Sequence, residues 1–172
     1  SAAVLRVSEL ESHPRRTAFV DSDVPDLLQE VHQFYLPLAE EKQQVLALEI
    51  APSLAPVSGD RELLFEALAN LLSNALRFTP EHGRILLRAL DDGGATRIDV
   101  IDNGPGIAPQ DRALVYQRFF RGGAEAGHGE GFGLGLSIVA AIVGLHGFRL
   151  RTDASPDGGA WLSIRCVADA LH

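Results

Sequence analysis

The chain has 172 residues, 46% of them hydrophobic, with 23 acidic and 15 basic side chains and a formal net charge of −8. This balance is typical of a folded globular domain, and the acidity argues against nonspecific nucleic-acid binding. Cys166 is the only cysteine, so a disulfide framework and a cysteine-based zinc site are excluded. It lies in an apolar run, and we expect it to be a small core residue in a reducing compartment.

The first forty residues predict three elements. Residues 1–14 have apolar side chains at helical spacing, so we expect the closing turns of a helix that begins upstream, followed by a linker. Residues 17–21 predict a short strand. Asp23 is a predicted N-cap, with Pro25 in the first helical turn and Pro37 expected to kink or shorten the helix. The predicted buried stripe of this helix consists of Leu27, Leu28, Val31, Phe34, Tyr35 and Leu38.

The rest of the chain alternates strands and helices. Alternation and turn residues predict strands at 45–50, 84–90, 96–101, 148–153 and 160–167. Helices are predicted at 62–79, capped by Asp60, and at 134–145, within an apolar run too short and too glycine-rich for a membrane span. The loosely patterned, glycine-rich residues 102–131 predict a lid or a disordered segment. We expect residues 15–172 to form one α/β (α+β) two-layer sandwich, with a mixed, mostly antiparallel sheet and helices on one face.

The helix at 62–79 carries a polar stripe opposite its apolar one. Glu66, Asn70, Asn74 and Arg77 follow one another at intervals of four, four and three residues, so they are neighbours on one helix surface. Asparagine is a modest helix former, because its side chain competes for backbone hydrogen bonds. By itself the stripe fits a solvated face as well as a binding site.

Two glycine-containing turns are candidate ligand sites. Asp102 ends a strand and is followed by Gly104 and Gly106, so its carboxylate can accept a hydrogen bond from an exocyclic amine, although a plain turn is the alternative. Gly133 and Gly135 open the apolar helix, where free backbone N–H groups favour a phosphate. The glycine spacing matches neither the Rossmann fingerprint nor a Walker A loop.

Four motifs follow one another along the chain. They are Asn-Leu-Leu-Ser-Asn-Ala at 70–75, Asp-x-Gly-x-Gly at 102–106, Tyr-Gln-Arg-Phe-Phe-Arg at 116–121 and Gly-x-Gly-Leu-Gly-Leu at 131–136. They resemble the N, G1, F and G2 boxes of the sensor histidine kinase catalytic domain, within the superfamily of gyrase, heat-shock chaperone, histidine kinase and mismatch-repair ATPases. The resemblance extends over about residues 17–167. It implies the Bergerat ATP-binding fold, with a glycine-rich lid over the nucleotide.

The resemblance implies a role for each matched residue. Asn74 would coordinate Mg²⁺, with ATP phosphates and water completing the shell. Asn70 and Arg77 would lie beside the phosphates, and Asp102 would bind the adenine amino group. In the lid, Phe119 and Phe120 would pack, and Arg121 would approach the γ-phosphate, although Arg118 and Arg121 also fit plain surface charges. The remaining expected nucleotide-binding positions are Gly104, Gly106, Ile107, Gly131, Gly133, Leu134, Gly135 and Leu136.

The residue at position 70 separates a kinase from a hydrolase. ATP-hydrolysing relatives resemble this helix but place glutamate one turn before the magnesium asparagine, where it activates water. Asn70 cannot act as a general base. Transfer to a histidine needs no strong base, because neutral imidazole has a free lone pair. The sequence therefore favours a histidine kinase, and a stand-alone ATPase, a nucleotide-sensing module and a serine-directed anti-sigma kinase are the alternatives.

The expected acceptor histidine is missing. None of the six histidines lies in a His-Glu/Asp-x-x-Thr/Asn-Pro motif, so we expect the acceptor on a dimerisation domain absent from this chain, and residues 1–11 resemble the end of its helix. The expected partners are that domain of its own kinase and the receiver domain of a response regulator, within a homodimeric full-length protein. We expect a cytoplasmic domain without nucleic-acid or direct membrane contact, in a protein that the inner membrane could anchor.

Overall fold

The computed structural model describes residues 2–12, 19–117 and 133–167. The helices are α1 (Ala2–Ser12), α2 (Val24–Glu41), α3 (Arg61–Phe78) and α4 (Gly133–His146), with a short 3-10 helix at Pro109–Asp111. The strands are β1 (Val20–Ser22), β2 (Val45–Ile50), β3 (Val57–Gly59), β4 (Arg84–Asp92), β5 (Ala95–Asp102), β6 (Arg149–Ala154) and β7 (Ala160–Arg165).

A five-stranded sheet in the order β2-β4-β5-β7-β6 forms one layer of the fold. The β2–β4 pair is parallel, and the other three pairs are antiparallel. Helix α2 packs on β2 and β4, α3 on β4 and β5, and α4 on β6. The predicted two-layer sandwich with a mixed, mostly antiparallel sheet is confirmed.

Both long helices begin at the predicted caps. The Asp23 carboxylate accepts a hydrogen bond from the backbone N–H of Asp26 (3.2 Å), and the Asp60 carboxylate accepts one from that of Leu63 (3.1 Å). Each bond satisfies one of the free N–H groups of a first helical turn. The apolar stripe of α3 is buried, as its spacing predicts, and consists of Leu63, Leu64, Ala67, Leu68, Leu71, Leu72, Ala75 and Leu76.

The second half of α2 differs from the prediction. Phe34 is 67% exposed and Leu38 is 41% exposed, so the buried stripe is shorter than expected. Phe34 instead packs edge-on against Phe65 of α3, with a ring-centroid distance of 6.1 Å. Pro37 does not end the helix, which continues to Glu41. The predicted stripe is shorter because burial in this half shifts to Ala39, which is fully buried, and to the partly buried Tyr35 and Leu36.

Two short elements were predicted imperfectly or not at all. Strand β1 is three residues long and pairs with β3. Strand β3 was not predicted from the sequence. Three residues are too few to display an alternating pattern.

Cys166 packs at the edge of the core as a partly buried side chain, and burial raises the pKa of its thiol to about 12.

Helix α1 is packed against the helical layer. Val7 and Leu10 are buried in a second apolar cluster with Leu63 and Ala67 of α3 and Ile138 and Ile142 of α4. The Arg6 guanidinium donates hydrogen bonds to both carboxylate oxygens of Glu66 on α3, at 2.8–3.2 Å. The predicted boundary near residue 14, between a dimerisation helix and the catalytic domain, stays a prediction.

None of the described helices is both long and apolar enough to cross a membrane.

Candidate functional site

A pocket opens where α3 meets the end of β5 and the turn that follows it. Its walls are mostly apolar and carry one amide and one carboxylate. The lining residues are Leu71, Asn74, Ala75, Phe78, Val100, Asp102, Pro105, Gly106, Ile107, Ala160 and Leu162. A flat apolar slot with few polar groups is suited to an aromatic ring that carries hydrogen-bonding edges.

Asp102 is the buried polar group of this pocket. It is 9% exposed, and its Oδ1 accepts hydrogen bonds from the backbone N–H groups of Gly104 (2.9 Å) and Ala160 (3.1 Å). No described residue donates a hydrogen bond to Oδ2. One oxygen therefore fixes the carboxylate in place, and the other remains an acceptor for a ligand.

The electrostatic surroundings of Asp102 fit a ligand with a hydrogen-bond donor. Burial raises the pKa of Asp102, and the backbone N–H groups of Ala160 and Gly104 oppose that rise without cancelling it. No arginine, lysine or histidine among the described residues forms an ion pair with it. In the free protein the negative charge of Asp102 is therefore only partly stabilised by hydrogen bonds. A donor that reaches Oδ2 stabilises it further.

Three glycines allow the backbone to close around Asp102. At Gly104, a β-carbon would lie 3.1 Å from the carbonyl oxygen of Phe78. Gly106 has φ +78° and would place a β-carbon 2.7 Å from the carbonyl oxygen of Gly158. At Gly159, a β-carbon would lie 2.1 Å from the carbonyl oxygen of Asp102, so no side chain fits there.

Gly159 is a site residue that sequence reasoning missed. Its position between the predicted strands at 148–153 and 160–167 indicates only a turn. Its role follows from the pairing of β5 with β7, which brings the start of β7 against the end of β5. The Asp-Gly-Gly sequence at 157–159 was the available signal, but such a run does not reveal which strand end it will cover.

The polar stripe of α3 lies on the pocket side of the helix. Asn74 lines the pocket, and its amide forms no hydrogen bond with another described residue. The Nδ2 of Asn70 donates to the carbonyl oxygen of Glu66 (2.8 Å), and its Oδ1 lies 3.5 Å from where a β-carbon on Gly135 would be. The side chain of Asn70 therefore lies beside the first turn of α4.

Arg77 occupies the end of the stripe. Its side chain is exposed, and its guanidinium carbon lies 5.5 Å from the ring centroid of Phe78, which lines the pocket. A cation at this edge is accessible to a charged group that protrudes from the pocket.

The other predicted binding residues fall into three groups: the start of α4, two buried apolar residues, and residues outside the described ranges. Gly133 and Leu134 begin α4, so the backbone of that helix starts beside Asn70, as expected for a phosphate site. Ile107 is buried and lines the pocket, whereas Leu136 is fully buried in the core and supports α4 by packing. Five predicted lid residues lie outside the described residues: Arg118, Phe119, Phe120, Arg121 and Gly131.

Tyr116 anchors the segment that leads towards the lid. Its hydroxyl hydrogen-bonds with that of Thr152 on β6, and burial raises the pKa of the phenol to about 12. The phenol therefore stays neutral at physiological pH.

The donor set suits a magnesium ion only if the nucleotide supplies ligands. Within the described ranges, no group of three or more histidine, cysteine, aspartate or glutamate side chains is arranged to hold a metal. Asn74 offers a hard amide oxygen, and Asn70 lies one turn away. Mg²⁺ commonly has one or two protein ligands together with water and phosphate oxygens, so these residues fit it.

The family model described as histidine kinase-, DNA gyrase B- and HSP90-like ATPase matches residues 59–169. That range contains α3, the Asp102 turn, α4 and the last two strands, which include every pocket residue named above.

Known proteins resemble the chain over most of its length. The sensor-like histidine kinase SenX3 of Mycobacterium tuberculosis is 33% identical over 174 residues, which is 99% of this chain and 42% of SenX3. Full-length ShkA in complex with AMPPNP superposes with a TM-score of 0.78 at 30% identity, over 98% of this chain and 36% of ShkA. The catalytic domain of the histidine kinase ThkA superposes with a TM-score of 0.73 at 25% identity, over 86% of this chain and 97% of that domain.

The extent of these matches identifies the part of a kinase that the chain represents. It spans less than half the length of the curated relatives that it matches, such as SenX3 (42%) and the alginate biosynthesis sensor protein KinB of Pseudomonas aeruginosa (26%). In contrast, it covers nearly all of the separate ThkA catalytic domain. The chain therefore belongs to the histidine kinase-, DNA gyrase B- and HSP90-like ATPase family and is a catalytic ATP-binding domain of the sensor histidine kinase type.

Proposed function

We propose that this domain transfers the γ-phosphate of ATP to a histidine on a dimerisation domain outside this chain. The observation that carries the proposal is the fixed amide at position 70. A hydrogen bond to the carbonyl oxygen of Glu66 holds the Asn70 amide beside the start of α4, where the phosphates of a nucleotide seated on Asp102 would extend. An amide orients a phosphate but removes no proton from water.

Recognition of adenine rests on Asp102. Oδ2 accepts a hydrogen bond from the exocyclic amine of adenine, while Oδ1 is held by Gly104 and Ala160. Guanine has a carbonyl oxygen at the corresponding position, and two acceptors facing each other in a buried pocket repel. The domain therefore prefers ATP to GTP.

The residues that would hold Mg²⁺ are Asn74, through its amide oxygen, and the phosphates of ATP. When bound, the ion neutralises phosphate charge during transfer. Arg77 contributes a second positive charge at the pocket edge, and the backbone N–H groups of Gly133 and Gly135 orient the phosphates at the start of α4. Phe119, Phe120 and Arg121 are proposed to cover the nucleotide.

A hydrolase is disfavoured by the position of the nearest acidic side chain on α3. Glu66 lies one turn before Asn70, and its carboxylate accepts hydrogen bonds from Arg6 of α1. Both of its oxygens are engaged by the Arg6 guanidinium, so the carboxylate is held against α1. Water activation therefore has no general base on this stripe.

None of the three described histidines lies in an acceptor motif; His82 is exposed beside Glu81 in the turn after α3, and the other two bond to backbone. His146 is buried, its Nε2 accepts a hydrogen bond from the Asp60 N–H (3.0 Å), and its Nδ1 lies 2.8 Å from the carbonyl oxygen of Ile142. The Nε2 of His32 lies 2.8 Å from the carbonyl oxygen of Leu46. Both rings are engaged with backbone, which supports an acceptor on the dimerisation domain and onward transfer to a receiver domain.

The test combines the chain with a separately prepared dimerisation domain of its own kinase. With Mg²⁺ and ATP labelled at the γ-phosphate, we expect label on the histidine of the added domain and only slow phosphate release without it. Asn74→Ala should lower transfer by about a hundredfold or more, since a magnesium ligand is lost. Rapid phosphate release from the isolated chain, with no label on the added domain, would identify an ATPase instead.

A further inference from the structure

The sheet face opposite the helices carries an arginine cluster that the nucleotide site does not use. Along β5 and β7, Ile98, Val100, Leu162 and Ile164 point into the core. The alternate positions therefore face outward. We call this surface the basic face. It consists of residues on β4, β5, β6 and β7: Arg88, Arg97, Arg149, Arg151, Arg165 and Trp161.

Strand register aligns three of these arginines in one row. Arg97 on β5 lies opposite Arg165 on β7, which lies opposite Arg149 on β6. Like charges directly opposite each other in a sheet are destabilising. Asp92 lies against two of them, at 3.3 Å from Arg97 and 3.5 Å from Arg165. The register therefore places three positively charged side chains next to one another.

Trp161 provides a flat surface within the basic face. The guanidinium carbons of Arg88 and Arg97 lie 5.4 Å and 5.9 Å from its ring centroid. Both arginines also bond to Asp99, whose carboxylate is fully buried beneath them. These contacts hold the arginines in place, so the face is ordered before a partner arrives.

Hydrogen-bond donors exceed acceptors on this face. The concavity on this face is lined by four arginines and two aspartates, Asp92 and Asp153, so its lining has a net charge of +2 in a chain whose net charge is −8. The buried indole N–H of Trp161 has no acceptor among the described residues. The concavity beside these residues measures about 570 Å³, enough for a few side chains.

We propose that the basic face docks an acidic segment of a partner protein, with its carboxylates on the arginines and its apolar side chains against Trp161. Guanidinium groups bind carboxylates through paired hydrogen bonds. The concavity has room for a few side chains, which suits a peptide segment better than a nucleic-acid strand or a membrane surface. The face lies across the sheet from the Asp102 pocket, so the partner and ATP bind independently.

The test uses the fluorescence of Trp161, the only tryptophan in the chain. A glutamate-rich, tryptophan-free peptide is titrated at physiological ionic strength, and we expect a saturable change in emission. Arg151→Glu should weaken binding about tenfold, because it reverses a charge that is 77% exposed on β6. ATP affinity should be the same in this variant as in the unmodified chain.

Arg84→Glu is the matched control. Arg84 is also exposed (61%) and also paired with one aspartate, Asp157, but it lies at the start of β4, four residues before Arg88, and does not line the concavity. Peptide affinity should change by less than about twofold. The proposal fails if emission does not saturate or if both variants weaken binding equally. It also fails if single-stranded DNA or anionic vesicles bind more tightly than the peptide.

Discussion

Asp99 and Asp102 lie three residues apart on β5, yet they face opposite sides of the sheet and have opposite electrostatic surroundings. Burial alone would raise the pKa of Asp99, but hydrogen bonds from Arg97 and Arg88 outweigh it and lower that pKa. Burial raises the pKa of Asp102, which among the described residues accepts hydrogen bonds only from backbone. Both oxygens of the Asp99 carboxylate bind arginines, so this group stabilises the sheet. The Asp102 carboxylate is fixed in place while keeping an acceptor for the nucleotide.

The largest effect should come from closing the space around Asp102. In Gly159→Ala the new methyl group would meet the Asp102 carbonyl at 2.1 Å, so the β5–β7 contact must open. We expect a loss of about 3 kcal/mol or more in the free energy of unfolding, measured by urea denaturation. Gly158→Ala is the control, since its β-carbon would meet no atom within 4 Å. It should cost only about 1–2 kcal/mol, from the positive φ.

Asp102→Asn tests the carboxylate that serves the ligand. The amide keeps the shape of the side chain but loses its charge and can present a donor where adenine also donates. We expect ATP affinity to fall about a hundredfold, roughly 2.7 kcal/mol, by calorimetry, with little change in stability. An unchanged dissociation constant would move the adenine site away from this pocket.

Asp99→Asn tests the carboxylate that serves the fold. It leaves Arg88 and Arg97 without their shared buried partner, so the free energy of unfolding should fall by about 2 kcal/mol in thermal or urea denaturation. ATP affinity should stay within about twofold of the unmodified chain. A large loss of ATP affinity here would show that the two faces of β5 are coupled, and the comparison would break down.

The smallest expected effect is a difference between the pKa values of Asp99 and Asp102. The folded pKa of Asp99 lies below its unfolded value, so its stabilisation is present above the unfolded pKa and disappears as pH falls through the folded one. The folded pKa of Asp102 lies above its unfolded value, so its contribution is present below the unfolded pKa and disappears as pH rises through the folded one. Carbon-13 NMR of the two carboxyl groups should show Asp102 protonating first on acidification. A reversed order would refute the assignment.

Much of the proposed nucleotide site can be read from local spacing, and the roles of its residues stay predictions. Asn70 and Asn74 share a helical face, and Asp102 precedes two glycines at a strand end, so each pattern is contained in a few residues. The structure adds that Asn70 reaches the first turn of α4 and that one oxygen of Asp102 is already occupied. Neither fact has a local signature.

Features that depend on strand register were not predictable. Gly159 matters because β7 pairs with β5, and the arginine row exists because three strands align at Arg97, Arg165 and Arg149. Periodicity says which face a residue occupies but not which residue lies across from it. The exposure of Phe34 was not predictable for a related reason, since helical spacing alone does not show which side of α2 faces the core near its end.

The seam between α1 and the other helices decides how far this chain can be shortened. Val7 and Leu10 cover Ile138 and Ile142 of α4. A chain that began after residue 18 would open this apolar seam to solvent, at about 25 cal/mol for each Å² uncovered, and would offer neighbouring molecules an adhesive surface. A chain cut at the first matched residue, Gly59, would also lose β2, an edge strand of the five-stranded sheet. The unit to express for solubility therefore begins with α1.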